Sequence, residues 1–136
     1  MKFKSFLLLL CLSVCSLGYA DNRHVHPQSG NQAVNSAVKN AMTPGYCQVE
    51  IINDSNQYVT VSGRFDDGAP LQPFNIYPHE IPHYISLFYY NFCHQSMYLS
   101  ITSNGYVVFG GYANVNSTIH IVPYLKGQLK AKVSVK

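Results

Sequence analysis

The chain has 136 residues, with nine Lys and Arg against six Asp and Glu and a formal net charge of +3. Lys2 and Lys4 lie in an N-terminal stretch read below as cleavable. Without them seven bases face six acids, which excludes the cation excess that a dedicated nucleic-acid binder needs.

Met1 to Ala20 has the form of a secretory signal. Lys2 and Lys4 supply a positive start, Phe6 to Leu12 an apolar centre, and Gly18-Tyr19-Ala20 the small residues a signal peptidase reads. The expected product is exported, either secreted or periplasmic. Leu12-Ser13-Val14-Cys15 resembles a lipoprotein signal, but Val14 stands where a small residue is normally required, which argues against a lipid anchor. No later run reaches ~18 uninterrupted apolar residues, so no transmembrane segment is expected.

Residues 21–46 read as a flexible N-terminal segment. Asp21 to Gly30 is polar and carries no apolar period, as expected of a mobile terminus. Val34, Ala37, Val38, Ala41 and Met42 then fall on one helical face and predict a short helix near 31–42. Ser29 with Gln32 matches a capping box, and Pro44-Gly45 stops the element. A helix this short is marginal alone and must dock, either on the domain that follows or on a partner.

From Cys47 to the end, apolar residues alternate or run in short blocks between turn signals. The predicted strands cover Cys47 to Asn53, Tyr58 to Phe65, Leu71 to Tyr77, His83 to Tyr90, Met97 to Ser103, Tyr106 to Tyr112, Thr118 to Tyr124 and Gln128 to Val135. Asp54-Ser55-Asn56 and Asp66-Asp67-Gly68 mark turns, and Pro73 suits an edge strand, where a missing N–H breaks no ladder. Asn104-Gly105 between alternating runs is a strong hairpin signal, since a type I′ turn needs positive φ at both central residues. A two-residue turn pairs Ser103 with Tyr106, Ile101 with Val108 and Leu99 with Gly110, placing Leu99, Ile101 and Val108 on the core face. The spacing argues for an antiparallel β-sandwich of about seven strands over residues 47–136, with a small β-barrel as the alternative.

Cys11 and Cys15 leave with the signal, and Cys47 and Cys93 remain to pair in an oxidising compartment. His79-Glu80-Ile81-Pro82-His83 matches the letters of the zinc-protease motif, in which a helix presents two imidazoles on one face with Glu beside them. Pro82 is incompatible with that helix, because it lacks an N–H and clashes with the preceding turn. His79, Glu80 and His83 therefore stand as a metal site, and as the basis of a metal-dependent hydrolase, only in a non-helical geometry. Asp66-Asp67-Gly68 lacks the spaced acids of a calcium loop. No phosphate-cradling glycine loop or nucleophile elbow is present, and no cofactor is expected.

Lysines offer the better clue. Lys130, Lys132 and Lys136 alternate along the last strand opposite Leu129, Ala131, Val133 and Val135, with Lys126 in the turn before it. Such lysines keep an edge strand from pairing with another chain. They also form a basic stripe suited to an anionic glycan or another component of an envelope or host surface, with Tyr106, Tyr112 and Tyr124 available to stack on sugars. The expected function is that of a small exported, non-catalytic binding protein. The metal-dependent hydrolase is one alternative, and capture of a protein partner by strand addition at an open edge is another.

Overall fold

The computed structural model describes residues 22–27 and 46–135. The signal-like stretch, the helix expected near 31–42 and Lys136 lie outside the described residues. In chain order the strands are β1 (Arg23–His24), β2 (Gln48–Asn53), β3 (Val59–Arg64), β4 (Pro70–Ile76), β5 (His83–Ser86), β6 (Phe88–Tyr89), β7 (Phe92–Cys93), β8 (Ser96–Ser103), β9 (Tyr106–Asn114), β10 (Ser117–Pro123) and β11 (Leu129–Val135). They form a five-stranded sheet in the order β1-β5-β2-β10-β11, a four-stranded sheet in the order β4-β3-β8-β9, and the small β6-β7 hairpin. This is an all-β, sandwich-like fold without a closed barrel. Most pairs are antiparallel, but β10 runs parallel to β2 and β1 parallel to β5.

The core follows from period-two alternation, which sends every second side chain inward. Val49 and Ile51 of β2, Ile119 and Ile121 of β10, Ile85 of β5, Val59 and Val61 of β3, and Met97, Leu99 and Ile101 of β8 are all fully buried. Each such side chain contributes roughly 1.5–3 kcal/mol by leaving water. As Pro73 implies, β4 lies at a sheet edge.

One register detail departs from the sequence reading. Asn104 and Gly105 adopt positive φ, and Ser103 pairs with Tyr106 as expected. A bulge between Ile101 and Thr102 then moves the register by one, so that Ile101 pairs with Phe109 and Leu99 with Gly111. The bulge brings both Val108 and Phe109 against the core, whereas strict alternation allows only one of them. Near a second irregularity, between β3 and β4, a Cβ on Gly63 would lie 2.4 Å from the Tyr98 carbonyl oxygen, so only glycine fits this approach of strands.

The run from His83 to Tyr90 is two strands. Leu87 leaves the sheet, its N–H donating to Cys47 O at 2.8 Å and its carbonyl accepting from His94 N at 2.9 Å. Tyr90 and Asn91, both at positive φ, turn the chain between β6 and β7. The Cys47–Cys93 disulfide, with Cα atoms 5.7 Å apart, fastens this hairpin to the start of β2.

Residues 22–27, read from the sequence as part of a mobile segment, pack on the domain. Arg23 and His24 pair with Tyr84 and Ile85, and His26 is buried. Their polar composition conceals the cause: both histidines find aromatic rings and polar partners that repay burial.

Candidate functional site

Among the described residues, the lysine strand is an outer strand of the five-stranded sheet. Leu129 is buried and Ala131 half-buried, while Lys130 and Lys132 are exposed on the opposite face. Val133 and Val135 are 52% and 68% exposed, so the apolar face of β11 extends past the core at its C-terminal end. Lys126 lies in the short 3₁₀ turn Leu125–Gly127, in the left-handed region, and is exposed. The Nζ of Lys130 sits 5.4 Å from the centre of the Tyr124 ring, within cation–π range. Among the described residues, Lys126, Lys130 and Lys132 make no ion pair.

The three candidate tyrosines are divided by the fold. Tyr124 precedes the 3₁₀ turn, and the Tyr106 hydroxyl accepts from Leu129 N at 3.1 Å, so both adjoin the lysine strand. Tyr112 belongs to the four-stranded sheet, where its ring packs edge-on against Tyr98 with centroids 5.7 Å apart. Tyr106 lies on the same strand, β9, so what sequence spacing could not show is which of these two tyrosines meets β11. His120 is an unforeseen neighbour of the lysines: it pairs across the ladder with Lys132 and binds the Asp54 carboxylate.

The three residues of the HEIPH segment have different surroundings. His79, at positive φ and largely exposed, turns its Nδ1 toward Asp54 Oδ1 at 3.9 Å. Glu80 accepts from Tyr77 N at 2.8 Å, an interaction that closes the proline-flanked turn. His83 is buried, with Nδ1 2.9 Å from His24 Nε2 and its ring 5.2 Å from that of Phe74. Its Nε2 lies 3.4 Å from Glu80 Oε2, near enough for charge attraction but not aligned as a hydrogen bond. Burial holds the His83 imidazole below its ordinary pKa, and the Glu80 carboxylate only partly offsets this. Among the described residues, no three His, Cys, Asp or Glu side chains are grouped to hold a metal ion.

Sequence reasoning missed a second polar cluster. His26 Nε2 meets Asp67 Oδ2 at 2.8 Å, and His94 Nδ1 meets Asp66 Oδ2 at 2.7 Å. The buried Tyr89 donates its hydroxyl to Asp66 and lies between the two imidazoles, stacked on His26 at 4.1 Å and on His94 at 3.6 Å. Burial alone would raise the Asp66 carboxyl, but hydrogen bonds from Tyr89 and His94 outweigh it and hold it below the ordinary carboxylate value. Asp67 is lowered in the same way: the Ala69 N–H and His26 overcome the effect of burial. Tyr89, desolvated and beside Asp66, is pushed well above the usual phenol range. Asp66 and Asp67 carried a turn signal only; nothing in their spacing pointed to His26, some forty residues upstream.

Asn53-Asp54-Ser55 has the letters of an N-glycosylation sequon, but its asparagine is tied into the fold. Asn53 is fully buried, its amide donating to Gln57 O at 2.8 Å and Ile76 O at 3.0 Å, while its Oδ1 accepts from the Ser55 hydroxyl at 2.7 Å. No protein-family model, curated protein or solved structure matches this chain.

Proposed function

We propose that this protein is an exported, non-catalytic binding protein that engages an anionic glycan or a comparable anionic surface through β11. The observation that carries this reading is the placement of Lys130 and Lys132 side by side on the solvent face of an edge strand, without ion-pair partners among the described residues. Tyr124 beneath Lys130 and the half-buried Tyr106 add aromatic surface beside them. A cation left uncompensated at a sheet edge attracts polyanions at low cost, because little has to be desolvated or broken before binding.

The carboxylates support a non-catalytic role. Asp54, Asp66 and Asp67 are committed to histidines, Glu80 caps its own turn, and Glu50 accepts from Thr118 Oγ1 at 2.9 Å. Export agrees with the Cys47–Cys93 disulfide, a bond favoured in oxidising compartments.

Retention on immobilised heparin tests the proposal. The double substitution Lys130→Gln/Lys132→Gln should lower the salt concentration needed for elution, while changing stability by no more than about 0.5 kcal/mol, as is usual for exposed sites. Unchanged elution with unchanged stability would remove β11 as the contact surface.

A further inference from the structure

The outer face of the four-stranded sheet, on the opposite side of the sandwich from the lysine face of β11, presents a patch of exposed aromatic and cationic side chains. Ladder pairing places Arg64 of β3 beside Tyr98 of β8, and Tyr98 beside Tyr112 of β9, so the three side chains form one row across the sheet. Directly opposed residues share a face. Tyr98 is 45% and Tyr112 75% exposed, which leaves two aromatic rings open to solvent. Arg64 is exposed and makes no ion pair among the described residues. In the adjoining row Ser62 pairs with Ser100 and Ser100 with Gly110, giving hydroxyls and, at the glycine, no side chain.

Two grooves lie along these rows. One, of about 430 Å³, reaches from Arg64 to Tyr112 and has Asp66 on its wall. The other, of about 350 Å³, has Ser62 and Ser100 on its wall and no carboxylate. Arg64 and Tyr98 line both, so the grooves meet at one cation and one ring. Each falls in the lower part of the size range for small-ligand sites.

We infer that this face binds a pyranose bearing a carboxylate, with the acid group on Arg64 in the Ser62–Ser100 groove and a sugar ring against Tyr98 and Tyr112. A pyranose presents an apolar C–H face that suits an exposed tyrosine ring, with hydroxyls around its rim for the serines. The guanidinium fork matches a carboxylate in two parallel hydrogen bonds. Asp66 gives the site its direction. Its negative charge, held by Tyr89 and His94, repels an acid from the larger groove and leaves the smaller one to receive it. A nucleic acid fits poorly, since its backbone calls for several cations and, among the described residues, this row supplies one, Arg64. An added peptide strand is disfavoured, because β3 and β8 are interior strands with both edges paired.

The test uses two sources of the same chemistry, tetragalacturonate and an α2,8-linked sialic acid trimer, with methyl-esterified tetragalacturonate as the uncharged control. Titration calorimetry on the mature protein should detect at least one of the acids and show roughly tenfold or weaker binding of the ester. Arg64→Gln should weaken the acid by roughly tenfold or more, with Arg64→Lys between it and the parent; Tyr98→Ala should also weaken it. Lys130→Gln/Lys132→Gln should leave this binding unchanged, which separates the site from the lysine strand. The inference is overturned if neither acid binds, if the ester binds as well as the acid, or if folded Arg64→Gln protein binds normally. If the lysine substitutions abolish binding while Arg64→Gln does not, β11 is the acid-sugar surface and this site falls alone.

Discussion

The corner around Tyr89 and the edge strand β11 treat polar side chains in opposite ways. At the corner, His26 and His94 are each matched to a carboxylate, and Tyr89 joins them by stacking on both rings and donating to Asp66. On β11, Lys130 and Lys132 face water with no carboxylate in contact among the described residues. Groups matched internally hold the structure together, because breaking one leaves a buried polar partner unsatisfied. Groups left open cost little to redirect and are free for an outside partner. The contrast therefore assigns stability to the corner, and it leaves the exposed faces for the recognition proposed above.

The sharpest way to break this contrast is to unfasten the corner. Replacing both Cys47 and Cys93 by Ala removes a cross-link spanning 46 residues, with an expected loss of about 4 kcal/mol in the chain-entropy picture. Chemical denaturation should show a large fall in the midpoint. A change no greater than that of the lysine variant would mean that the corner is not where stability is held. A smaller effect, about 1–3 kcal/mol, is expected for Tyr89→Phe, which leaves the stacked ring but strips the hydroxyl from Asp66. If Tyr89→Phe were as mild as an exposed substitution, stacking and not the hydrogen bond would be the main tie.

The mildest perturbation is pH. His83 has its imidazole depressed by burial, so the unfolded chain takes up a proton on it before the folded one does. Its contribution is complete above the ordinary histidine value of 6.5 and is lost as pH falls from there through the depressed folded value. Urea midpoints at about pH 7.5, 6.5 and 5.5 should decline in the parent and decline less in His83→Gln, given the ordinary histidine value. Equal slopes in the two proteins would show that His83 does not couple folding to acid in that range. Asp66 and Asp67 act in a separate window. With folded carboxyls below the ordinary 3.8, their contribution is present above that value and is lost only as pH falls further.

Local chemistry alone determined much of this molecule. Period-two alternation identified Leu99 and Ile101 as core, and local signals identified Asn104-Gly105 as a turn, Pro73 as an edge residue, and Cys47 with Cys93 as partners, because each depends on near neighbours or on simple pairing logic. Tertiary structure decided what depends on which strands meet. The bulge beside Ile101 lets both Val108 and Phe109 pack against the core, and no single strand's pattern reveals it. Parallel pairing of β2 with β10 is a matter of topology. Docking of His24 and His26 depends on Phe74, His83, Asp67 and Tyr89, which are distant in sequence and become neighbours only when the sheets assemble. The same assembly parts Tyr112 from the lysines and places it in one row with Arg64 and Tyr98. Side-chain periodicity reports which face a residue occupies, whereas a binding surface is set by which strands lie next to one another.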